Sequence, residues 1–146
     1  MALSAQNSSD RARQLLALTQ RLTQRLVEET AVLEAHRPQD LHDRLEETRN
    51  LSNLYRIESL RVKADPNLLK GITPQEKQAL FEATQAFHEQ LAHYDRAVNA
   101  AKTVTEGIVA AIADDMNTRR AGNMTYGARG HTRATGPQSL GSGRVA

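Results

Sequence analysis

The chain has 146 residues, 39% of them apolar and 25% charged, which is the size of one domain. Only five residues are aromatic and none is Cys or Trp, so a disulfide framework, a thiolate zinc site and a cysteine nucleophile are excluded. The sequence lacks the β-branched and aromatic runs typical of strands, so we expect an all-α protein.

Charge is distributed unevenly along the chain. Residues 1–116 carry 14 Lys and Arg against 17 Asp and Glu, whereas residues 117–146 carry five Arg and no acid. The net charge of +2 therefore arises from the C-terminal stretch, and nucleic acid is not expected as a partner.

No apolar run approaches the roughly 20 residues that span a bilayer, and the first residues do not resemble a secretory signal. We expect a cytoplasmic protein without membrane insertion.

The first predicted helix begins near Ser9 or Asp10, either of which can cap a helix N-terminus. Leucines then recur at helical spacing and form one apolar stripe. The stripe comprises Leu15, Leu18, Leu22, Leu26 and Leu33. Pro38 follows; it lacks a backbone donor and biases Arg37 away from helical backbone, so the helix is expected to kink or break there.

Two further helical stretches are predicted after Pro38. The second extends from Leu41 to about Lys63. The third opens with Thr73-Pro74-Gln75-Glu76, a capping box with proline at the first helical position. A heptad with the 4-3 spacing of a coiled-coil seam then continues to about residue 116. Its positions are Leu80, Thr84, Phe87, Leu91, Tyr94, Val98, Ala101, Thr105, Ile108 and Ile112.

These elements predict a helical, coiled-coil-like domain at 1–116 and a flexible, basic Gly/Arg-rich tail at 117–146. Two architectures fit the helices. If Pro38 only kinks the first helix, it forms a long antiparallel hairpin with the third; if Pro38 breaks it, the result is a three-helix bundle. We favour the hairpin, because it covers more of the apolar seam.

No catalytic or metal-ligating constellation is recognisable. His88 and His93 resemble a zinc-binding HExxH motif but stand five residues apart, so they do not share a helix face. Acidic residues occur as neighbours, as in Glu28-Glu29 and Glu46-Glu47, and neighbours on a helix diverge. We expect no enzyme activity, no metal and no cofactor.

Association with other helices is the remaining possibility. Residues 103–113 are apolar on more than one face, and Gly107 weakens the helix there. One interpretation is a small-residue helix end packed on the first helix. The other is an apolar surface, including Ile108, Val109, Ile112 and Met116, that docks a partner helix. A self-associating coiled-coil structural or adaptor protein would instead use the heptad seam between chains.

The order of these features resembles the FlgN-like flagellar type III export chaperones, in particular their alphaproteobacterial FlgN/FlbY branch. The similarity covers about residue 13 to the end. It is carried by the leucine-spaced first helix, by Tyr55-Arg56-Ile57-Glu58, by Asp65-Pro66-Asn67-Leu68-Leu69 with the capped long helix to Thr105-Glu106-Gly107-Ile108, and by Thr125-Tyr126-Gly127-Ala128-Arg129-Gly130. The last resembles the Tyr-Gly-x-x-Gly element of these chaperones, whereas Pro38 departs from an uninterrupted first helix.

The resemblance implies a cytoplasmic chaperone for bacterial flagellum assembly. Such a protein binds the helical termini of hook–filament junction proteins, with flagellin as another client, and delivers them to the membrane export gate. By analogy Ile108, Val109, Ile112 and Met116 contact the client, and Tyr126 with Gly127 and Gly130 engages the gate. The chaperone interpretation predicts a monomer or weak homodimer that binds its client one to one.

Overall fold

The computed structural model describes residues 2–134, with side chains through residue 124. Three helices form: α1 (Ser8–Glu34), α2 (His42–Ala64) and α3 (Pro74–Ala134). Short 3₁₀ turns at Pro38–Leu41 and Pro66–Leu69 connect them. Residues 2–134 contain no strand, so the predicted all-α class is confirmed. The chain divides into two compact units, residues 1–102 and residues 103–146.

Within residues 1–102 the first helix ends before Pro38 instead of continuing through it with a kink. Pro38 begins a 3₁₀ turn, and α2 then runs antiparallel to α1, with Arg11 paired to Glu58 near one end and Arg44 paired to Glu28 near the other. The kinked hairpin that we favoured is therefore wrong, and the three-helix bundle is correct. The physical reason is that folding α2 back places its acids and arginines opposite those of α1, which a continuous helix could not do.

The end of α1 explains why the chain can reverse there. His36 has a φ of +56°, and the N–H groups of His36 and Arg37 donate to the carbonyls of Leu33 and Val32 over 3.0 and 3.1 Å. This is a Schellman motif, in which glycine is the usual left-handed residue. His36 therefore terminates α1 before Pro38 is reached, and it does so with a side chain that disfavours the conformation.

We predict that His36→Gly stabilises the protein by about 1 kcal/mol, because glycine adopts the left-handed region without the steric cost of a Cβ atom. Urea unfolding followed by circular dichroism measures the change. His42→Gly is the matched control, since His42 has right-handed helical backbone and should lose stability on the same replacement. Equal effects of the two replacements would contradict the Schellman assignment.

The core of residues 1–102 lies where the α1 leucines meet α2 and α3. Leu22, Leu26 and Phe87 form the buried cluster, with Leu51, Tyr55, Leu91 and Tyr94 packed against it. The rings of Tyr55 and Phe87 lie 4.7 Å apart between centroids. Four of the five stripe leucines are buried, which confirms the predicted stripe.

The two N-terminal caps were predicted with different success. α1 is capped by Asn7, whose Oδ1 accepts the Asp10 N–H over 2.8 Å, so the expected cap at Ser9 or Asp10 is wrong by two or three positions. The capping box of α3 is confirmed: the Thr73 N–H donates to Glu76 Oε2 over 2.9 Å, and the Glu76 N–H donates to Thr73 Oγ1 over 3.1 Å. Ser9 Oγ also donates to Glu76, which joins the starts of α1 and α3.

The third helix continues beyond residue 116, where we expected it to end, and extends to Ala134. Proline first interrupts the later sequence at Pro137, so no residue before it removes a helical donor. The predicted tail at 117–146 lies partly outside the described residues, and its flexibility stays a prediction.

Within the described part of the chain, no helix combines the length and apolarity that a membrane span requires.

Candidate partner-binding surfaces

The most deeply buried carboxylate of the bundle has structural partners. Glu58 is fully buried, and its carboxylate accepts hydrogen bonds from the Leu3 N–H over 3.0 Å, from Arg11 over 3.1 Å and from Arg61 over 3.2 Å. These bonds connect the N-terminal segment, α1 and α2. The arrangement supplies a buried charge with ion-pair and hydrogen-bond partners.

A second buried carboxylate lies between the three helices. Glu29 of α1 accepts a hydrogen bond from Thr48 Oγ1 of α2, and the phenol of Tyr94 of α3 lies against it. Burial, with a further contribution from the negative charge of Glu29, raises the pKa of Tyr94. These polar groups are consistent with a core that fixes the relative positions of the helices.

The raised pKa of Tyr94 gives an alkaline stability prediction. The folded-state pKa of Tyr94 exceeds the unfolded value of about 10. The contribution of the neutral phenol to the free energy of unfolding is therefore complete below pH 10 and is lost as the pH rises through the folded-state pKa. We expect the free energy of unfolding to fall more between about pH 9 and pH 11 in the unmodified protein than in Tyr94→Phe. Urea unfolding at the two pH values measures this, and parallel losses in the two proteins would contradict it.

The histidines and paired acids considered above are placed apart. His93 Nε2 lies 2.7 Å from Glu34 Oε1, while His88 lies beside the ring of Phe87. Glu47 pairs with Arg21 and Arg25, and the hydrogen bond from Arg21 lowers the pKa of its carboxyl group. Among the residues that the structure describes, no three His, Asp or Glu side chains converge as metal ligands.

The predicted client surface is exposed. Ile108 and Ile112 are each 56% exposed, and Val109 and Met116 are exposed to a similar degree. Val104 extends the series at the same four-residue helical spacing. This set, Val104, Ile108, Val109, Ile112 and Met116, is called the α3 apolar face below. Large apolar side chains gathered on one exposed helix surface are typical of partner-binding sites.

Packing among the described residues does not require the glycine inside this face. A Cβ atom added at Gly107 would meet nothing within 4 Å, and its φ is not in the left-handed region. Gly107 therefore costs helix stability, about 1 kcal/mol relative to alanine, without a compensating contact among the described residues. The other predicted contacts, Tyr126, Gly127 and Gly130, lie outside the residues whose side chains are described, and their role stays a prediction.

Sequence reasoning missed a second apolar surface in the unit of residues 1–102. A cavity of about 380 Å³ opens between α2 and α3, and Phe81 at its edge is 57% exposed. Its lining includes Leu15 of α1 and Val62 of α2. The available signal was Phe81 itself, a large aromatic residue one position outside the heptad seam. Its position did not reveal a cavity, because the cavity depends on how α2 packs.

The chain is 45% identical over 131 residues to the flagellar basal-body protein FlbY of Caulobacter vibrioides, an alignment that covers 89% of this chain and 88% of that protein. No family model matches the chain. No solved structure matches it either.

Proposed function

Because the chain belongs to the FlbY family of flagellar proteins, we propose that it is a cytoplasmic export chaperone of flagellar assembly. Its clients are hook–filament junction proteins or flagellin, which it binds before secretion and delivers to the type III export gate of the basal body. Client termini that are disordered before assembly need a helical apolar surface to cover them. The proposed activity is binding, without catalysis or a cofactor.

The observation that carries this proposal is the α3 apolar face. Its side chains are spaced so that a client helix can bury several of them at once, and each fully buried aliphatic side chain contributes about 1.5–3 kcal/mol. The absence of a Cβ atom at Gly107 allows a client backbone to approach closely beside Ile108. Both features suit helix-in-groove recognition.

Gate binding is assigned to a separate segment on the strength of the family resemblance. Tyr126, followed by Gly127 and Gly130, is the proposed contact. Tyr126→Ala should abolish binding to the gate and preserve binding to the client. Loss of both activities would contradict this division between the two segments.

Affinity capture with the full-length protein tests the proposed function. Enrichment of hook-associated proteins or flagellin, identified by mass spectrometry, is the expected result. Ile112→Asp should remove that enrichment, whereas Leu60→Asp, a matched change at an α2 residue that is 54% exposed, should retain it.

Recovery of the bait alone, with no flagellar client, would favour the second candidate function. Ile108 and Ile112 continue the heptad seam of α3 and are exposed, so a self-associating coiled coil could use the same positions between chains. That function predicts a dimer whose helicity falls on dilution.

A further inference from the structure

The cavity beside Phe81 is part of a longer apolar groove. A second cavity, of about 530 Å³, adjoins it and shares three lining residues, Val62, Leu69 and Leu80. The first cavity extends along α2 from Tyr55 to Lys63, about 12 Å at the rise of an α-helix. The second continues to Ile72 in the loop before α3. We call the two together the α2/α3 groove; its length accommodates two or more turns of a helix.

The charged residues that line the groove have one sign. Each cavity has a single charged lining residue, and both are lysines: Lys63 in the first and Lys77 in the second. Lys70 is exposed in the loop between them. Among the described residues none of these three side chains forms an ion pair, so their charges are available to a partner.

The nearby carboxylates do not form ion pairs with these lysines. Asp65 accepts the Asn67 N–H over 3.1 Å, and Glu76 is occupied by the capping box and by Ser9. Glu82 accepts a hydrogen bond from Gln78 over 2.9 Å. Each acid keeps its charge but is held by local hydrogen bonds, and neither cavity is lined by an acid. The groove therefore combines an apolar lining with two lysines as its charged lining residues.

We propose that the α2/α3 groove binds an amphipathic helix whose apolar stripe is flanked by carboxylates. The stripe would cover Phe81, Leu69 and Leu80, while the flanking acids would pair with Lys63 and Lys77. A helical partner is favoured because the groove runs between two helices, and no strand edge is present in residues 2–134 to pair with an extended peptide. This is a second docking site, independent of the α3 apolar face and of the proposed function.

Synthetic peptides test the proposal with the full-length protein. The probe is an amphipathic peptide of about 18 residues with leucines at helical spacing and glutamates on both flanks. A second peptide carries lysines in place of the glutamates. Fluorescence anisotropy should show the acidic peptide binding more tightly, by about threefold to tenfold for two exposed ion pairs.

Matched variants locate the binding site. Lys63→Glu should weaken binding of the acidic peptide and strengthen that of the basic one, whereas Arg49→Glu, the same charge change near the other end of α2, should have a smaller effect. Phe81→Asp should weaken binding at least about tenfold, because it removes an apolar contact and adds a repelling charge. Phe81 is exposed, so the fold should persist, and circular dichroism verifies that.

Two outcomes would overturn the proposal. One is equal affinity for the acidic and basic peptides. The other is loss of binding in Ile112→Asp but not in Phe81→Asp, which would move the peptide to the α3 apolar face. Neither outcome depends on flagellar client capture, so failure of the groove and failure of the chaperone function can be told apart.

Discussion

Aspartate at both Ile108 and Ile112 is expected to abolish client binding and leave the fold intact. Burial of the two isoleucines against a client would contribute about 3–6 kcal/mol, and the variant would replace that burial with two carboxylates at an apolar interface. The affinity should fall at least about 100-fold. Isothermal titration calorimetry with a purified hook-associated protein or flagellin measures the loss.

The fold should survive this replacement because both side chains are already 56% exposed in the free protein. Leu60→Asp is the matched control, since Leu60 is exposed to a similar extent on α2. Unchanged affinity in the double variant, with helicity and unfolding midpoint also unchanged, would exclude the α3 apolar face as the client site.

Glu58→Ala is expected to produce the largest loss of stability, about 3–5 kcal/mol. The replacement leaves the Arg11 guanidinium, whose side chain is only 14% exposed, without its buried partner, and the Leu3 N–H without an acceptor. Because domains of this size are stable by about 5–15 kcal/mol, the variant could unfold at physiological temperature. Urea unfolding in the cold, followed by circular dichroism, gives the difference.

Two further variants test whether the loss of stability comes from leaving a buried charge unpaired. Glu47→Ala also removes an acid that pairs with two arginines, but Glu47 is much more exposed than Glu58. This replacement should therefore lower the free energy of unfolding far less. The double replacement Arg11→Leu with Glu58→Met removes both buried charges and should recover much of the stability. A double variant as unstable as Glu58→Ala would show that the ion pair itself, not the unpaired arginine, carries the effect.

The features that sequence reasoning predicted correctly are set by nearby residues. The α1 stripe follows from the spacing of Leu18, Leu22 and Leu26, and the capping box follows from four consecutive residues. Helical periodicity and capping act over one or two turns, so a short window contains the information.

The features that it missed depend on distant parts of the chain. Whether the helix continues through Pro38 depends on the pairing of α2 with α1. The contacts of that pairing join residues far apart in the sequence, such as Arg11 and Glu58. His36 showed no sign of a left-handed conformation, because glycine is the usual residue there. Burial of Glu58 and the α2/α3 groove likewise arise only after the three helices pack.

The α3 apolar face was predicted from sequence as one of two interpretations. A run of apolar residues alone does not distinguish an internal seam from an external surface, because both consist of the same residue types. These side chains are exposed in the structure, and their role as a client surface stays a prediction. The identity of the client helix is not encoded in these aliphatic side chains, which match many amphipathic partners.

The molar mass of the complex with a client tests the central claim most directly. Full-length protein and a purified hook-associated protein or flagellin of the same organism would be mixed and separated by size-exclusion chromatography with light scattering. The chaperone function predicts a one-to-one complex that the double aspartate variant at Ile108 and Ile112 fails to form. Two unchanged peaks for every such client, with the protein alone forming a concentration-dependent dimer, would contradict it and favour the self-associating coiled coil.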